Sequence, residues 1–65
     1  MASNYIIETE KGDKFGGWNQ LGQIVIHSFE KNYPAYRMTR TLAMRNIDKV
    51  EQAAGCKCSI VKITD

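Results

Sequence analysis

Four apolar residues, Ala43, Ile47, Val50 and Ala54, recur at intervals of four, three and four, and Gly55 follows at once. On an α-helix those intervals return to the same side, so the four side chains form one apolar stripe. Arg45, Asp48, Lys49, Glu51 and Gln52 take the remaining positions. Glycine readily adopts the left-handed backbone that ends a helix. The pattern predicts a helix over 42–54, capped by Thr41 and closed by Gly55. Such a helix must cover something apolar, and the flanking segments offer a sheet.

Residues 4–10, Asn-Tyr-Ile-Ile-Glu-Thr-Glu, are rich in β-branched and aromatic types and read as a strand. Lys11-Gly12-Asp13-Lys14 reads as a turn, and Phe15-Gly16-Gly17-Trp18 as a backbone bend or a close approach, with an aromatic on each side. Residues 18–31 admit two readings. Trp18, Leu21, Val25 and Phe29 fit a helical face, whereas Gly22 and the run Ile24-Val25-Ile26 favour a strand over 23–29. The strand is preferred. Pro34 breaks the chain, and residues 36–42 alternate as a further strand, with Tyr36, Met38, Arg40 and Leu42 on one face and Arg37, Thr39 and Thr41 on the other. This strand is expected to form a hairpin with 23–29. Residues 58–63 carry apolar side chains on both faces, which suits a central or largely covered strand.

The fold class expected is therefore α+β, a small antiparallel sheet of three to four strands with one amphipathic helix on one face, in the order β-β-β-α-β. With 65 residues the chain is read as one domain, 1–65, near the lower size at which a core forms unaided. Net stability for such a core is about 3–5 kcal/mol, so a second copy of the chain is a natural supplement and a homodimer stays open. Residues 1–4 lack the basic and apolar segments of a signal peptide, and no apolar run is long enough for a membrane span. The expectation is a cytoplasmic protein that does not enter the membrane, with Cys56 and Cys58 as reduced thiols.

Chemistry is sparse. Cys56 and Cys58 would face the same way on a strand, but His27 is the sole further soft ligand, and a zinc site needs three or four. No metal or other cofactor is assigned. His27 could meet a thiol only across the sheet. Glu8 and Glu10 read as a solvated pair guarding an edge strand. The glycines fit no phosphate-cradling loop. No catalytic residue is assigned, and the chain reads as a non-enzyme.

The basic and aromatic residues are more informative. Arg37, Arg40 and Arg45 lie close together, with Thr39 and Thr41 between them and Tyr33 and Tyr36 just upstream. Arginine and tyrosine dominate the energetically important centres of protein interfaces. Trp18 either docks a partner or folds back over one end of the core, the second being the more common use of a lone Trp. The partner-binding set is Trp18, Tyr33, Tyr36, Arg37, Thr39, Arg40 and Arg45. The reading is a small regulator or inhibitor that binds and modulates a larger protein. Size and simplicity alone associate such chains with phages and mobile elements. The alternative is a nucleic-acid-binding protein using the Arg37–Arg45 patch, opposed by a net charge of only +2.

Overall fold

Two hairpins of one construction open the chain in the computed structural model, which describes residues 4–31 and 33–63. The strands are β1 (Tyr5–Thr9), β2 (Lys14–Trp18) and β3 (Ile24–His27). At the first turn the Thr9 amide donates to the Asp13 carbonyl (2.7 Å) and the Gly12 amide to the Thr9 carbonyl (2.9 Å). At the second, ten residues on, Asn19 donates to Gln23 (2.9 Å) and Gly22 to Asn19 (3.0 Å). Each loop closes on a glycine with positive φ, +91° at Gly12 and +77° at Gly22, as a three-residue hairpin loop requires. The first residue's side chain holds each turn. Thr9 Oγ1 accepts from the amides of Lys11 and Asp13, and Asn19 Oδ1 from those of Leu21 and Gln23.

A 3-10 turn, Phe29–Lys31, follows β3, and the chain then returns to the middle of the sheet. Met38 exchanges two backbone hydrogen bonds with Tyr5 of β1, at 3.0 and 2.9 Å. Thr39 then caps α1 (Arg40–Ala54) with extended backbone, its hydroxyl accepting from the Leu42 amide at 3.3 Å. Gly55 ends the helix at φ 74°, its amide donating to the Glu51 carbonyl. The last strand, β4 (Cys58–Lys62), pairs antiparallel with β1, Ile7 opposite Ile60. All pairings are antiparallel, in the order β3-β2-β1-β4.

Packing follows from alternation. Ile7, Phe15, Met38, Ala43 and Val50 form the buried cluster, with Tyr5, Ile24, Ile26, Leu42, Ile47, Cys58 and Ile60 packed around it. The helix therefore lies over the face carrying Tyr5, Ile7, Phe15 and Ile60. Ile6, Glu8, Lys14, Gly16 and His27 belong to the other face.

The α+β class and the element order are as expected, but several strands are not. Phe15–Trp18 is a strand rather than a bend, because Gly16 and Gly17 form an irregularity within β2, between the Phe15–Ile26 and Trp18–Ile24 pairs. Residues 36–42 are not a strand. Only Met38 makes a bridge, and helix formation from Arg40 lets Leu42 and Ala43 join the core. Thr39, not Thr41, is consequently the cap. The partner of β3 is β2, so the expected hairpin across Pro34 is replaced by the one at Asn19–Gln23. The helical reading of 18–31 fails because Gly22 sits in that turn. β4 is an edge strand, not a central one. β1 is central, so Glu8 guards no edge, and Glu10 lies in the turn beyond the strand.

Candidate functional site

The Gly16-Gly17 pair organises the aromatic residues. Gly17 has φ +93°, and a Cβ there would lie 3.1 Å from the Tyr36 ring. Tyr36 is fastened above it by its amide, which donates to the Phe15 carbonyl at 2.9 Å. Phe15, Trp18 and Tyr36 then meet edge to face, with ring centroids 5.1 Å (Phe15–Trp18), 5.8 Å (Phe15–Tyr36) and 5.5 Å (Trp18–Tyr36) apart. Phe15 is fully buried, whereas Trp18 is 42% and Tyr36 39% exposed. The expectation that Trp18 caps the core is thus half met. It seals Phe15 and still shows a large apolar surface.

Tyr33 is separated from this group. Its ring packs 5.0 Å from His27, which covers Gly16 on the face away from the helix. The two tyrosines therefore flank the glycine pair from different sides. Arg37 is exposed and follows Tyr36 directly. Arg40 opens α1 and is exposed, with exposed Met44 four residues on, on the same side of the helix. Arg45 is also exposed, but five residues from Arg40 it stands well round the helix. Thr39 is half-buried, and its hydroxyl oxygen accepts from the Leu42 amide as the helix cap. The face imagined for Arg37, Thr39 and Thr41 is dissolved by the helix start. What the structure gathers from the predicted set is Trp18 and Tyr36, on Phe15; Arg37 follows Tyr36 in the chain and Arg40 opens α1 three residues later, both exposed. Met44 was passed over, since a helix beginning at Leu42 gives it no special place.

The electrostatics of this end are one-sided. No acidic residue occupies the first turn of α1 and no basic residue the last. A helix N-terminus carries partial positive charge and favours carboxylates, so Arg40 stands where the fold alone would prefer Asp or Glu. Residues 33–47 hold Arg37, Arg40 and Arg45 and no carboxylate.

The thiols lie at the other end of the helix. The Cys58 amide donates to Glu51 Oε2 at 3.0 Å, and its Sγ lies 3.8 Å from the Cys56 carbonyl. Burial pushes the Cys58 thiol pKa up, and the negative charges of Cys56, Glu51 and Glu10 push it further. That disfavours the reactive thiolate. His27 and Cys58 occupy the two opposite edge strands, about 14 Å apart at three strand spacings, so the thiol–histidine pairing does not form. Among the described residues no three His, Cys, Asp or Glu side chains converge as a metal site. A shallow concavity is lined by Asp48, Glu51, Gln52, Cys56 and Lys57, away from the aromatic group. No helix among the described residues is long and apolar enough to cross a membrane. The chain matches no protein family, and neither the curated proteins nor the solved structures contain a significant match to it.

Proposed function

We propose that this chain is a small non-catalytic module that docks a larger protein through Trp18, Tyr36, Arg37 and Arg40. The observation that carries the reading is the pair Trp18–Tyr36, two large rings held rigid on buried Phe15 and each about two-fifths exposed. Anchoring removes most of the conformational entropy that two free aromatic side chains would lose on binding. Arginines beside such anchors supply directional hydrogen bonds at the rim.

The rings favour a protein over a nucleic acid. They stand at 79° to one another, and a strand of stacked bases is best served by faces open in parallel. Asp48 and Glu51 lie farther along α1, within about 12–17 Å of Arg40 by helical rise, so the positive patch is short. Phosphate-dominated binding draws on several cationic contacts at once.

Affinity capture from lysate, with and without nuclease, tests the reading when wild type is run beside Trp18→Ala and Tyr36→Ala. A stoichiometric protein that survives nuclease and is lost with both variants supports it. Capture that disappears with nuclease favours the nucleic-acid alternative. A partner retained by both variants places docking elsewhere.

A further inference from the structure

Every charged residue lies outside 15–29, a run that contains Phe15 through β2, the second turn, β3 and Phe29. β3 is an edge strand inside that run. Natural sheets commonly protect an edge with lysine or another charge, and β3 carries none.

The direction of its backbone groups follows from the turn. Asn19 and Gln23 form a hydrogen-bonded pair, and such pairs alternate with non-bonded ones along an antiparallel ladder. Gln23, Val25 and His27 therefore turn their amides and carbonyls toward β2, while Ile24 and Ile26 turn theirs outward. Two copies related by a twofold axis can pair these edges antiparallel. Centred on Val25, the ladder sets Ile24 opposite Ile26 of the second copy, and uses both outward residues of both strands. Registers centred on Ile24 or Ile26 use fewer.

The same register has a second consequence. Positions summing to fifty face one another, so Leu21 comes opposite Phe29 of the second copy. Leu21 is 81% and Phe29 62% exposed, the two highest values among the described large apolar side chains. One lies in the turn before β3 and the other in the 3-10 turn after it. Their placement about Val25 is symmetric, and no like charges meet within the run.

The other edge is less suited. On β4 the hydrogen bonds Ile63 to Asn4 and Glu10 to Lys57 turn Cys58, Ile60 and Lys62 outward by the same alternation. The Cys58 amide is already taken by Glu51, and Lys57 and Lys62 bracket the strand.

We propose that the chain forms a twofold dimer by antiparallel pairing of β3 with β3 of a second copy, centred on Val25 and closed at both ends by Leu21 against Phe29. The proposal is independent of the docking surface around Trp18. Sedimentation over a wide concentration range should show twice the chain mass at high concentration. Leu21→Lys and Phe29→Glu, both on exposed side chains, should each weaken association roughly tenfold or more. An equimolar mixture of the two should recover it, because the introduced ammonium of one copy then faces the introduced carboxylate of the other. In a Cys56→Ser/Cys58→Ser background, Val25→Cys should cross-link under oxidised glutathione, since facing non-bonded residues lie about 4.5 Å apart, within disulfide reach. A monomer at every concentration overturns the proposal. So does a dimer that both single variants leave intact and that Val25→Cys fails to trap.

Discussion

Gly16 runs beneath the imidazole of His27, so closely that a Cβ at position 16 would overlap the ring. His27 is in turn held against Tyr33. Gly16→Ala should therefore cost about 1–3 kcal/mol, the usual range for overpacking, by pushing His27 off β2 and out of its contact with Tyr33. The cost should largely vanish in a His27→Ala background, because the obstructing ring is gone. Chemical denaturation of the two single variants and the double variant measures the coupling. Additive effects would show that the ring is not what the glycine accommodates.

The N-cap discriminates between two neighbouring threonines. Thr39→Ala should lower stability by about 1 kcal/mol, since the Leu42 amide loses the Thr39 hydroxyl. Thr41 is exposed on the first turn, and Thr41→Ala should change stability by less than about 0.5 kcal/mol. Equal losses in thermal unfolding would contradict Thr39 as the cap.

These two threonines also show where sequence reasoning stopped. The stripe Ala43, Ile47, Val50 and Ala54 and the terminator Gly55 were legible because helical period and left-handed glycine are local properties. The start was not, because Arg40 looks like a strand residue until Met38 is seen bridging Tyr5. Phe15–Trp18 was half legible for a related reason. Paired glycines signal a bend or a close approach, and here it is the second: they sit inside a strand as an irregularity where two rings approach the backbone. Trp18, Tyr36, Arg37 and Arg40 were visible as residue types in the sequence. The separation of Trp18 and Tyr36 from Tyr33 depends on which side of the glycine pair each ring lies, a property of tertiary structure alone.

The Cys58 thiol supplies a pH dependence with a definite sign. Its pKa is raised in the folded chain, by burial first and neighbouring negative charge second. The protonated thiol is thus favoured by folding, and its contribution is fully present below the unfolded value of about 8.5. The contribution is lost as pH rises from there through the folded pKa. Denaturation midpoints should fall over that window in wild type and fall less in Cys58→Ser. At neutral pH, Cys58 should also alkylate more slowly than Cys56. Parallel pH profiles for the two proteins would contradict the assignment.

Arg40→Glu separates docking from folding in a single chain. A carboxylate in the first turn interacts favourably with the helix dipole, by about 0.3–1 kcal/mol, and replaces an arginine that opposes it. The variant should therefore unfold at a temperature equal to or above that of wild type. If Trp18, Tyr36, Arg37 and Arg40 form the docking surface, it should nonetheless lose partner capture. A variant that is at least as stable and captures its partner as well as wild type would contradict that surface.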